Sequence, residues 1–166
     1  MAHNTRGLWL DGWKRQQINR RLGRPDLAVG DLGWHESIMS AAAEHYVCNL
    51  LGVPFAYDWQ RPGRKDFELP DGRTGDVKWR GRPGGDLLRS LTASSFCDVY
   101  VLVEGQQPDT LTAVGWATSE EMLREKKMLR CLTYVVERRR LRPMADLMHF
   151  GFDQSGQGYL WRLDRP

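Results

Sequence analysis

The longest helical pattern in the chain covers residues 34–51, WHESIMSAAAEHYVCNLL, followed by Gly52 and Pro54. Glycine and then proline is the expected order of helix stop signals. From Ile38 to Leu51, leaving His45 aside, Glu44 is the only residue with a formal charge. At about 100° per residue, Glu44 falls among Ser40, Ala41, Val47, Cys48 and Leu51. That surface is small and apolar, so the pattern predicts that Glu44 points inward. Glu36 lies about 80° away and suits the helix dipole near the start; His45 turns about 100° off the Glu44 face and reads as a packing residue.

Strand patterns follow. Lys65 to Arg80, KDFELPDGRTGDVKWR, reads as two short strands joined by Pro70-Asp71-Gly72. Asp98–Glu104 is a continuous apolar run of the kind found in a central strand covered on both faces. Leu111–Ala117 is a further strand, and Thr118-Ser119-Glu120-Glu121 matches a capping box that starts a helix. Phe55–Trp59, Tyr134-Val135-Val136 and Tyr159–Leu163 are shorter strand patterns, and residues 86–95 fit strand or helix equally. Pro143 suits the first turn of a short helix through His149. At the front, 1–10 reads as an arm with an apolar tip, 11–24 as a short basic helix, and Gly23–Gly33 as a linker. The expected organisation is a basic arm and helix over 1–33, then one α/β domain over 34–166, with a small mixed β-sheet flanked by helices.

Side chains alternate faces along a strand, so Asp76 and Lys78 share a face and Val77 takes the other. The loop length decides what joins them. With a three-residue loop at Pro70-Asp71-Gly72, Leu69 faces Arg73 and Asp66 faces Asp76, which gathers two acids and a lysine on one face. With only Asp71-Gly72 in the loop, Asp66 faces Val77 and the cluster is broken. Three-residue loops with glycine in the left-handed position are common.

Composition narrows the class. The 166 residues suit one domain with a core of ordinary size. No apolar run approaches the roughly 18 residues of a membrane span, and no secretory signal is evident. Cys48, Cys97 and Cys131 are scattered among apolar neighbours without CxxC spacing. They read as buried thiols in a reducing, cytoplasmic setting, and not as a disulfide framework or a zinc site. Net charge is only +3, but residues 1–30 hold six basic and two acidic side chains, and 122–142 hold eight and two. Basic flanks around an acidic cluster suit a polyanion. Lys14, Arg15, Arg20 and Arg21 in the arm, Arg80 and Arg82 beside the hairpin, and Arg138, Arg139 and Arg140 are the phosphate-contact candidates; ordinary solvated surface is the alternative for each run.

Asp66, nine intervening residues, then Asp76-Val77-Lys78, with Glu44 in an upstream helix, resembles the PD-(D/E)xK nuclease superfamily. The resemblance covers roughly Trp34 to Glu121, and the strands and capped helix after the hairpin fit it. The proline that usually precedes the first acid is replaced by Lys65; Pro70-Asp71 spells the dipeptide, but in the turn and too close to Asp76. The resemblance implies a restriction-endonuclease-like core and a nuclease that hydrolyses phosphodiester bonds with Mg²⁺, Mn²⁺ substituting. It assigns Glu44, Asp66, Asp76 and Lys78 to catalysis. Asp66, Asp76 and the Val77 carbonyl become metal ligands, with Glu44 acting directly, through water or on a second ion. Lys78 either positions the attacking water and stabilises charge, or serves as a general base with a depressed pKa.

DNA is the favoured substrate and an endonuclease the favoured activity. A homodimer with one site per strand suits duplex cleavage, and compactness with basic flanks suits a phage or mobile-element enzyme. The competing reading is a nucleic-acid-binding module that keeps the fold without the chemistry. A serine hydrolase lacks its nucleophile elbow, and Rossmann cofactor binding its glycine pattern.

Overall fold

The computed structural model describes residues 13, 14, 17, 31–55, 65–90, 96–124 and 133–149. The ordered elements are α1 (Asp31–Leu51), β1 (Phe67–Glu68), β2 (Thr74–Arg80), β3 (Leu87–Ser90), β4 (Val99–Glu104), β5 (Thr112–Thr118), α2 (Ser119–Arg124), β6 (Thr133–Val136), a 3₁₀ turn at Arg138–Arg140, and α3 (Met144–His149). The class is mixed α/β. One sheet has the order β1-β2-β4-β5, and β3 and β6 form a second, two-stranded sheet. Within the larger sheet β2 and β4 are parallel, whereas β1 and β5 run antiparallel to their neighbours.

Helix α1 starts at Asp31, so Asp31–Gly33 belong to the helix and not to a linker. The helix stops at Gly52 as its sequence predicts. Gly52 has φ +67°, its N–H donates to the Asn49 carbonyl, and the Val53 N–H donates to the Cys48 carbonyl. This pair of bonds is a Schellman motif, which satisfies carbonyls left open by the last turn. Met39, Ala42, Ala43, Val47 and Cys48 pack on the sheet against Phe67, Val77, Val99, Val101, Val103 and Trp116.

The other face of the sheet has its own core. Tyr100, Leu102 and Ala117 meet Leu87, Met122 and Val136. Strand β4 is buried along its whole length, with alternate residues serving the two cores, as its unbroken apolar run demands. Each such buried aliphatic side chain contributes about 1.5–3 kcal/mol. The undecided segment 86–95 is a strand over Leu87–Ser90; its partner β6 lies far along the chain, which local periodicity does not reveal. The capping box closes reciprocally: the Thr118 N–H donates to Glu121 Oε2 at 2.8 Å, and the Glu121 N–H donates to Thr118 Oγ1 at 3.1 Å. Helix α3 follows Pro143 directly. Of the remaining expectations, the Tyr159–Leu163 strand, most of Phe55–Trp59 and Cys131 lie outside the described residues. Among the described residues no helix is long and apolar enough to cross a membrane.

Candidate functional site

The hairpin has the three-residue loop. Phe67 faces Gly75 and Glu68 faces Thr74. The Leu69 N–H donates to the Arg73 carbonyl, and the Gly72 N–H to the Leu69 carbonyl. Gly72 supplies φ +86°, the left-handed conformation such a turn needs. Asp66 lies one residue beyond the last pair, its N–H donating to the Gly75 carbonyl at 2.8 Å, and the Phe67–Gly75 pair closes the register. Packing enforces it, because Gly75 leaves just the room that the fully buried Phe67 ring occupies. The start of β2 is tied to β4 through Asp98, whose carboxylate accepts from the Thr74 N–H at 2.8 Å and Oγ1 at 2.9 Å. Those two bonds hold the Asp98 carboxyl below its usual range.

Strand β1 parts from β2 at Asp66. The register would next place Lys65 against Val77. Instead, the Val77 N–H donates to Asp66 Oδ2 at 2.7 Å. The carboxylate therefore takes the place of the next strand carbonyl. In a strand the N–H and C=O of one residue point to the same side, so the Val77 carbonyl faces this same edge. On the adjoining face of β2, Lys78 Nζ lies 2.6 Å from Asp76 Oδ2. Across the parallel pair Asp76 faces Tyr100, and Lys78 faces Leu102.

Glu44 is buried, at 4% exposure, as the helical pattern predicts. Asp66 is buried too, at 7%. Burial pushes the Asp66 carboxyl well above the ordinary range, and the charges of Glu44 and Asp76 push it further; the Val77 N–H and Lys78 oppose them without prevailing. For Lys78, burial pulls the ammonium down, but Asp76, with Asp66 and Glu44, outweighs it, and the net shift is upward. Glu44, Asp66, Asp76 and Lys78 thus form one electrostatic cluster. Cys48 and Cys97 border it, and burial together with the neighbouring carboxylates pushes both thiols up to about 12, which leaves them inert as nucleophiles. His45 stacks on Phe55 with ring centres 3.8 Å apart, a packing role.

Each acid of the hairpin spends an oxygen on a protein donor, and among the described residues no three His, Cys, Asp or Glu side chains are gathered as a ready-made cage for an ion. The basic candidates divide. Lys14 is helical and half-buried, while Arg15, Arg20 and Arg21 lie outside the described residues. Arg80 ends β2, and Arg82 is exposed in the loop after it. Arg138, Arg139 and Arg140 form the exposed 3₁₀ turn, where Arg138 is ion-paired to Glu104 and Arg139 to Glu137.

Glu104 is the residue that the sequence reading passed over. It is 6% exposed, and its Oε1 accepts from the Gly84 N–H at 2.9 Å and the Gly85 N–H at 3.1 Å. Its signal was an acid closing the most apolar strand of the chain, where a carboxylate needs built-in partners. Comparisons with protein-family models, curated proteins and solved structures give no match.

Proposed function

We propose that this protein is a metal-dependent nuclease with a restriction-endonuclease-like core, acting on DNA as an endonuclease. One observation carries the reading: at the end of the three-residue-loop hairpin the buried Asp66 accepts from the Val77 N–H, within the field of Asp76, Lys78 and the buried Glu44. A salt-bridged surface hairpin does not require a buried acid arriving from a separate helix. Burial and the charges of Glu44 and Asp76 raise the cost of an ionised Asp66, and a bound cation would relieve it.

The donor set is all oxygen, which suits Mg²⁺, with Mn²⁺ as a substitute. Asp66, Asp76 and the Val77 carbonyl would hold the ion, and Glu44 would complete the charge balance. When bound, the ion supplies Lewis-acid stabilisation of the phosphoryl oxygens and a more acidic water. The chain's own contribution is positioning. Asp66 is oriented by the Val77 N–H, and α1 shields Glu44 from solvent. Lys78 remains an ammonium among these carboxylates, so it serves as a cation next to the scissile phosphate, where it neutralises developing charge and orients the attacking water. The surrounding carboxylates hold its pKa up, and a general-base role would need the bound ion to outweigh them.

The test is cleavage of supercoiled plasmid, linear duplex, branched junction and single-stranded DNA with Mg²⁺, Mn²⁺ or EDTA, beside the Lys78→Ala protein. Cleavage that requires metal and vanishes in the variant is expected; the preferred substrate then defines the subclass. Cleavage that survives in both Lys78→Ala and Asp76→Ala would sink the site. A second reading, a nucleic-acid-binding module without chemistry, is favoured by the direct Lys78–Asp76 pair, which occupies an oxygen of the proposed site. Tight binding of DNA with no cleavage under any condition would select it.

A further inference from the structure

Two basic segments far apart in the chain meet at Glu104. The first is the loop that follows β2. Arg80 faces Glu104 across the parallel strands, and the Gly105 N–H donates to the Arg80 carbonyl at 3.1 Å. The loop then turns back through Gly84, at φ +86°, and lays Gly85 against the Arg80 stem so closely that a Cβ there would fall 2.8 Å from Arg80 Cδ. Both glycine N–H groups donate to Glu104 Oε1. The second segment is the Arg138–Arg140 turn. Arg138 is ion-paired to that same Glu104 oxygen, and its backbone N–H donates to Asp86 Oδ1 at 3.0 Å. The Arg138 side chain is still 42% exposed and that of Arg139 83% exposed, beside an open groove lined by Asp86, Val114, Glu137, Arg138 and Arg139.

We propose that Glu104 is a positioning residue that joins the loop bearing Arg80 and Arg82 to the Arg138–Arg140 turn, making one rim that binds the phosphodiester backbone of a nucleic acid. The inference rests on the nuclease reading above for its ligand. The rim begins two residues beyond Lys78 on the same strand and the same face, about 7 Å away at strand rise. A backbone lying along it would continue directly from the proposed reaction centre. An arginine holding a buried carboxylate with one nitrogen retains further N–H donors for a phosphate, and its geometry is fixed before the ligand arrives.

The sign of one substitution separates this role from a bystander's. Removing an acid beside a polyanion site tightens binding if the acid acts only through its charge. Removing Glu104 should weaken binding if it holds the arginines in place. The experiment measures anisotropy of a fluorescein-labelled DNA duplex with the full chain carrying Lys78→Ala, in Mg²⁺, across a salt series. In that background Arg138→Ala should lower the slope of log K against log salt by about 1, as expected for one phosphate contact. Glu104→Ala should weaken binding and lower the slope by about 2, for one contact on each segment. Adding Arg138→Ala to Glu104→Ala should then change the slope little, and Glu104→Gln, which retains an acceptor for the glycine N–H groups, should recover part of the loss. Tighter binding in Glu104→Ala, or an unchanged slope in the surface variant Arg138→Ala, overturns the rim while leaving the nuclease reading standing. A parent protein that binds no nucleic acid overturns both.

Discussion

The place of Asp66 beside β2 depends on the hairpin register, and Gly75 offers a direct test of it. A Cβ on Gly75 would lie 2.0 Å from Phe67 Cζ and 2.3 Å from both Cε atoms. Phe67 is fully buried in the core beneath α1, so its ring has no free space to enter. Gly75→Ala should therefore cost about 1–3 kcal/mol as an overpacking change. For a domain of this size that lowers the melting temperature by about 2–4 °C per kcal/mol. Phe67→Ala alone should cost about 3–5 kcal/mol for its cavity. In the Phe67→Ala background the obstacle is gone, and Gly75→Ala should become neutral or stabilising by about 0.4–1 kcal/mol through the unfolded state. The assay is denaturant unfolding of the four proteins of the cycle, with the coupling read as the departure from additivity. A two-residue loop would set Gly75 against Glu68 and leave Phe67 out of reach. An equal cost of Gly75→Ala in both backgrounds, or no cost in the wild type, would refute the register and remove the geometric basis of the site.

Two further outcomes follow from the electrostatics. Asp66 has a raised carboxyl, so the folded protein loses stability as pH rises from the ordinary carboxylate range through the Asp66 value. Asp66→Asn should accordingly be more stable than wild type at neutral pH in EDTA, with the advantage vanishing below about pH 4. It should also be inactive, and unresponsive to Mg²⁺ in thermal unfolding where wild type is stabilised; lower stability of the variant at every pH would contradict the crowding of charges. Glu121 shows the opposite sign: burial pushes its carboxyl up, but the Thr118 N–H and Arg142 outweigh it and hold it below the usual range. Its contribution is present above the ordinary glutamate range and lost as pH falls through the depressed value. Thr118→Ala and Glu121→Gln should each cost about 1 kcal/mol at pH 7 by unfolding, and Glu121→Gln should cost little in strong acid; a pH-independent cost for Glu121→Gln would show that its charge is irrelevant.

Much of the molecule is governed by information that lies within a few residues. The burial of Glu44 follows from helical phase, because it is the one formal charge in the fourteen residues Ile38–Leu51 and lies on their small, apolar surface. The C-terminal stop of α1, the capping box before α2 and the proline before α3 follow from backbone groups that need local partners. The shared face of Asp76 and Lys78 follows from the two-residue period of a strand. The start of α1 was misplaced by three residues because Asp31, Leu32 and Gly33 carry no strong periodic signal beside the glycines of the linker pattern.

Other features required tertiary structure. Loop length left two registers open, and the choice between them is made where the Phe67 ring fills the space above Gly75. The pairing of β2 with β4, and of β3 with β6, joins segments whose patterns are each satisfied by several partners, and long-range packing decides among them. Glu104 is the clearest case. Sequence alone determines that an acid ends a buried strand. Only the fold brings two glycine N–H groups and Arg138 to it, because a buried carboxylate is stable where separate segments converge to satisfy it, and that convergence is a property of the whole chain.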